Sequence, residues 1–196
     1  MIKDLRIFGF VLLLFTFSLS YASEKIIVID VSHGGNDDGF AIDGIKEKDL
    51  AFEIALKIVA LNTADDVKII LTREGDYSVA LKDRVEHINS LNPDCVISLH
   101  INSHKDIDVN GFEFFVSTES VLIEKSNALA QQIENSISKE FASNGIKNAN
   151  FYMLKNVTSP VTLIEMGFLS NPDDLKLLTS IEGQNKIAEA IYNTIK

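Results

Sequence analysis

The chain has 196 residues, 46% of them hydrophobic, and a formal net charge of −10. That length suits one domain with a continuous core, and the acidic balance argues against nucleic acid or another polyanion as a partner. A lone cysteine, Cys95, excludes an internal disulfide, and its place between Asp94 and an apolar run marks it as a small core residue.

Residues 1–22 read as a secretory signal peptide. Lys3 and Arg6 give a basic start, 7–19 is an apolar run shorter than the roughly 20 residues of a membrane span, and Ser20-Tyr21-Ala22 offers small residues for cleavage. Cleavage leaves 23–196 as a single domain of net charge −11 with no stable membrane anchor. Export follows, with the periplasm as the expected compartment and release from the cell as the alternative.

The β-branched run 25–30 reads as a buried strand entering the Gly-rich turn His33-Gly34-Gly35. Over 47–61, Leu50, Ile54, Ile58 and Leu61 recur at helical spacing, and 79–91 repeats the pattern with Leu81, Val85 and Ile88. Between and after these helices, 67–71 and 95–99 read as strands. The run 112–116 is a further strand, expected antiparallel to a neighbour because the connection from His100 is too short for a crossover helix. The segment 122–141 is the longest helix, ended by Asn144-Gly145; 151–154 and 161–164 read as strands, and 182–195 as the final helix. This alternation predicts an α/β domain with a mixed, mostly parallel sheet and helices on both faces.

Four residues stand at element edges with chemistry in common. His33, His100 and Glu165 close apolar runs, and Glu47 opens a helix. Strand ends converge at one sheet edge, where two histidines and a glutamate suit zinc and a further carboxylate suits proton transfer. Each also has a structural reading: a histidine at a strand end is commonly hydrogen-bonded or exposed, and Glu47 suits the first turn of a helix. A carboxylate directly after Val161-Thr162-Leu163-Ile164 is partly buried and needs a partner or a task. Residue types alone leave both readings open.

Four blocks occur in order: Ile27-Val28-Ile29-Asp30-Val31-Ser32-His33-Gly34-Gly35, Lys46-Glu47-Lys48-Asp49-Leu50, Ser98-Leu99-His100-Ile101-Asn102, and Leu163-Ile164-Glu165-Met166-Gly167-Phe168-Leu169-Ser170-Asn171. Together they resemble the zinc-dependent N-acetylmuramoyl-L-alanine amidases that act in bacterial cell-wall turnover and daughter-cell separation. The resemblance implies a Zn2+ cofactor bound by His33, Glu47 and His100, with Glu165 as the catalytic base. It also implies peptidoglycan as substrate, autolysin-type hydrolysis of the bond between N-acetylmuramic acid and L-alanine, and an activator protein as a partner in some members. A zinc peptidase cutting within the stem peptide and a non-catalytic wall-binding protein are the alternatives.

One departure concerns geometry. The family's first block usually reads D-P-G-H-G-G, so Val31 and Ser32 replace a proline and a glycine, and a positive φ at that glycine position would strain Ser32. Arg73 and Arg84, which also match the family's pattern, are expected to form structural ion pairs. His104 and His87 are expected to face solvent, and Phe112, Phe114 and Phe115 to join the core. The stretch between Val116 and Asn150 is taken up by a helix, which leaves no room for the helix that plugs the site in some division-linked members.

Overall fold

The computed structural model describes residues 24–64 and 66–196; the signal peptide expected over 1–22 lies outside them. In chain order the elements are β1 Lys25–Val31, β2 Ala41–Ile42, β3 Ile45–Lys46, α1 Glu47–Leu61, β4 Val67–Leu71, α2 Leu81–Leu91, β5 Cys95–Asn102 and β6 Phe112–Val116. Then follow α3 Ile123–Ile137, β7 Ser143–Asn148, α4 Tyr152–Asn156, β8 Val161–Phe168, α5 Pro172–Thr179 and α6 Ile181–Ile195. Six strands form one sheet in the order β4-β1-β5-β8-β6-β7, and β2 with β3 makes a separate hairpin.

Strands β4, β1, β5 and β8 run parallel, while β6 pairs antiparallel with β8 and parallel with β7. The sheet is therefore mixed and mostly parallel, and β6 runs against a neighbour as its short connection requires. Alternating residues of β1 feed two cores: Ile27, Ile29 and Val31 pack with α1, α3 and α6, while Val28 packs with Val85 and Ile88 of α2 and with Met153 and Leu154 of α4. Helices thus cover both faces, which is why β1, β5 and β8 read as near-continuous apolar runs.

Three segments differ from their sequence patterns. Residues 151–154 were expected as a strand but start the short helix α4, because a brief apolar run carries no periodicity that separates helix from strand. Asn144-Gly145 does not stop a helix: α3 ends at Ile137, and Asn144-Gly145 lies inside β7. There Gly145 adopts φ 79° where the β6–β7 register shifts by one residue, a bulge in a polar edge strand that reads as loop. Finally β8 continues to Phe168, so Glu165 lies within the strand rather than after it. Phe112 and Phe114 are fully buried, and Phe115 packs partly against the second core, as expected.

Under the sheet edge sits a buried polar hub. Asp30 accepts hydrogen bonds from Thr72 Oγ1 at 2.8 Å and Ser98 Oγ at 2.6 Å, and it pairs with Arg84 Nη1 at 3.0 Å. Both Asp30 and Arg84 are almost fully buried, so removing one charge strands the other in low dielectric. Asp30→Ala is expected to lower unfolding stability by about 3–5 kcal/mol, and Asp30→Asn, which keeps acceptor capacity, by less. Urea titration followed by circular dichroism checks the order of the two variants.

Candidate metal centre

His33, His100 and Glu165 sit at the carboxyl end of the adjacent parallel strands β1, β5 and β8, where open α/β sheets form their ligand sites. Glu47 arrives from the start of α1, set there by the β2–β3 hairpin and buried to 4% exposure. Glu47 Oε1 lies 3.0 Å from His33 Nε2 and 3.0 Å from His100 Nδ1. One donor atom from each of the three residues falls within 4.8 Å of the others, a group able to hold a metal ion. Two imidazoles and one carboxylate, drawn from three separate elements, are the donor types of an open, catalytic-type site.

Second contacts fix these side chains. His33 Nδ1 is 2.8 Å from Asp37 Oδ2, which orients the ring and leaves Nε2 for the centre. Glu47 also accepts backbone N–H groups, Oε1 from Ile101 at 3.1 Å and Oε2 from Phe40 at 2.9 Å. Gly39, at φ 65°, lets the loop lie on this group: a Cβ there would stand 2.5 Å from Glu47 Oε2 and 2.7 Å from His33 Cδ2. Asp37 and Gly39 were not singled out in the sequence; the short spacing H-x-x-x-D-x-G was their only signal.

The strain expected at Ser32 falls one residue later. Ser32 is absent from the positive-φ residues, whereas His33 itself adopts φ 56°. Its turn is tied down by buried guanidinium groups: Arg84 Nη2 donates to His33 O at 2.9 Å, Arg84 Nη1 to Val31 O, and Arg73 Nη2 to Ser32 O at 3.1 Å. Arg84 thus forms the expected ion pair, but Arg73 instead donates to four carbonyl oxygens, those of Val31, Ser32, Lys48 and Gly75. His104 and His87 are exposed and outside the group, His104 bonding locally to Asp106.

Glu165 pairs in register with His100 on one side and Glu113 on the other. Its Oε2 is buried and has no hydrogen-bond partner. Burial, reinforced by the nearby Glu47 and Glu113 charges, pushes its pKa up to about 7. Glu47 behaves oppositely. Burial would raise its pKa, but hydrogen bonds from His100 and His33 hold it well below the usual carboxylate range.

Burial alone would lower the His33 pKa, yet Glu47 and Asp37 outweigh it and raise the value from 6.5 to about 9. The raised histidine stabilises the metal-free fold fully below pH 6.5 and ceases to do so as pH rises through about 9. Thermal melts in chelator should therefore show a falling Tm between pH 6.5 and 9, and His33→Asn should flatten that slope.

A family profile described as N-acetylmuramoyl-L-alanine amidase matches residues 27–196. The germination-specific N-acetylmuramoyl-L-alanine amidase of Bacillus subtilis is 31% identical over 218 aligned positions, covering 95% of this chain and 90% of that protein. Among solved structures, amidase AmiC2 of Nostoc punctiforme is 33% identical with a TM-score of 0.81, covering 89% of this chain and 96% of its own. The CwlD amidase of Clostridioides difficile, solved in complex with the GerS lipoprotein, is 32% identical with a TM-score of 0.80, covering 87% and 96%.

Proposed function

The chain belongs to the N-acetylmuramoyl-L-alanine amidase family, and we propose that its His33–Glu47–His100 group binds Zn2+ while Glu165 moves the proton. It is a hydrolase of peptidoglycan, cutting the amide between N-acetylmuramic acid and L-alanine. The observation that carries the site assignment is the juxtaposition of three clustered donors with one buried carboxylate that has no protein partner. Zn2+ held by His33, Glu47 and His100 would supply Lewis acidity towards the scissile carbonyl and water.

The protein's own groups account for the proton. A half-buried carboxylate with no hydrogen-bond partner on Oε2, beside the donor group, is placed to accept a proton and release it in the same turnover. Glu165 takes it from the attacking water as the new C–O bond forms, and delivers it to the alanine nitrogen as the C–N bond breaks. The products are a lactyl carboxylate on the glycan and a stem peptide with a free L-alanine amine. Asp37 holds the His33 ring in the orientation that offers Nε2.

The substrate lies outside the cytoplasmic membrane, so the protein acts after export, in keeping with a signal peptide over 1–22, a catalytic domain over 23–196 and a periplasmic home. An accessory protein belongs to the same reading, supported by the similar amidase whose structure includes the GerS lipoprotein.

Glu165→Gln should retain zinc at one ion per chain and lose turnover by roughly 10²–10⁴-fold, whereas His33→Ala should lose both. Metal analysis alongside digestion of purified sacculi checks each variant; full activity in Glu165→Gln would remove the proposed role. Mass spectrometry of the digest should show glycan freed of intact stem peptides, and shortened stems still attached to glycan would indicate a peptidase instead.

A further inference from the structure

Two cavities adjoin the metal group. One, of about 230 Å³, is lined mostly by polar and charged side chains that include Asp30, His33, Asp37 and Arg84. The other, of about 310 Å³, is lined by Leu81, Phe151, Tyr152, Met153 and Leu163 together with His100 and Glu165. Leu81 and His100 line both, so the two form one trough whose half beside Phe151 and Tyr152 is the more apolar.

The apolar half is a prepared surface. Met153 and Leu154 are buried in the core and fix α4, which leaves Phe151 and Tyr152 at 44% and 43% exposure and, across from them, Leu81 at 48%. The Phe151 ring stands 5.5 Å from Phe115 at 57°. Lys155 pairs with Glu119 at 2.7 Å, and Asn89 Nδ2 donates to Asn156 O at 2.9 Å, so α4 is tied on two sides. Large apolar side chains exposed together beside titratable groups mark a ligand surface, and a rigid one loses little freedom on binding.

The scissile amide divides its substrate into unlike halves. On one side is the muramoyl sugar, whose carboxyl is consumed in the amide and which is uncharged; on the other is a peptide that bears free carboxylates. Carboxylates set against Phe151 and Leu81 would lose hydration without gaining a partner. A pyranose presents a C–H-rich face that packs on an aromatic ring while its hydroxyls remain in water. From this match we infer that Phe151 and Tyr152 form a sugar subsite that receives the muramoyl side of the bond and sets the preference for glycan-borne stems. The inference rests on the amidase reading, since it divides that substrate between the halves of the trough.

The test compares two soluble substrates with the same stem peptide, one carrying N-acetylmuramic acid and the other a D-lactyl group alone. The zinc-loaded wild type should favour the sugar-bearing substrate by about tenfold in kcat/KM, chiefly through KM, and a Phe151→Ala, Tyr152→Ala double variant should lose that preference. A second readout needs no turnover: peptide-free glycan chains should bind Glu165→Gln protein, and binding should disappear when the two alanine changes are added. A preference and glycan binding that survive in the double variant overturn the subsite. So does an equal fall on both substrates, which would assign α4 to the peptide side or to the fold. If the wild type instead shortens the stem peptide and leaves the lactyl amide of both substrates intact, the amidase reading fails, and the glycan-binding measurement still decides the subsite.

Discussion

The left-handed turn at His33 is the constraint on which the rest of the site depends. A non-glycine residue at φ 56° is held at a cost of roughly 1–3 kcal/mol, and without that turn the imidazole would follow β1 away from Glu47. What offsets the cost is hydrogen bonding to the carbonyls around it. Arg84 holds those of Val31 and His33, and Arg73 those of Val31 and Ser32. Two buried guanidiniums side by side repel, and burial with the neighbouring Arg84 pulls the Arg73 pKa down. Asp30 balances Arg84 directly, while four carbonyl oxygens solvate Arg73 in place of a carboxylate. The hub beneath the sheet edge is therefore the support of the metal group, and its polar atoms are satisfied because Thr72 and Ser98 complete the acceptor sites of Asp30.

Three carboxylates lie at this edge, and their partners separate them. Glu47 is surrounded by donors, two imidazoles and two backbone N–H groups, and remains an anion. Glu113 is likewise buried but accepts from Asn102 Nδ2 at 3.0 Å and pairs with Lys147. Glu165 stands between His100 and Glu113 in the sheet with one oxygen bonded to nothing. Burial at the same edge thus leaves Glu47 an anion held by donors and pushes the pKa of Glu165 up, so their partners, not their burial, set the two carboxylates apart.

Much of this was legible in the sequence because parallel strands buried on both faces announce themselves as apolar runs, and a residue closing such a run is at the sheet edge by construction. His33, His100 and Glu165 stand out that way and Glu47 by opening a helix of plain apolar spacing, but their reading as three ligands and a base rests on the resemblance of four ordered blocks to the amidase family. The structure brings all four together. What pattern could not give were features decided by tertiary pairing. The polar strand β7 exists because β6 has a free edge, and its bulge at Gly145 hides it as a turn. α4 is a helix because Met153 and Leu154 have a core to enter on the face shared with α2. The block that follows Glu165 also has a local reason: Asn171 caps α5 by accepting from the Asp173 and Asp174 N–H groups, which ends β8 in a fixed place.

Several departures from local rules lie at one edge of the sheet. Among the described residues, the buried side-chain polar atoms without partners are Ser32 Oγ and Glu165 Oε2, and they lie on either side of His100 in the two halves of the trough. His33 adds a strained backbone and Phe151 and Tyr152 an exposed apolar surface. Behind them, β1, β5 and β8 present fully buried residues such as Val28, Ile97 and Ile164, whose packing is conventional. A core of that kind has free energy enough to carry unfavourable contacts at its rim, provided they are few and local. Ser32 Oγ and Glu165 Oε2 both belong to residues that line the trough, so their unmet hydrogen-bonding capacity lies beside that cavity rather than deep in the core.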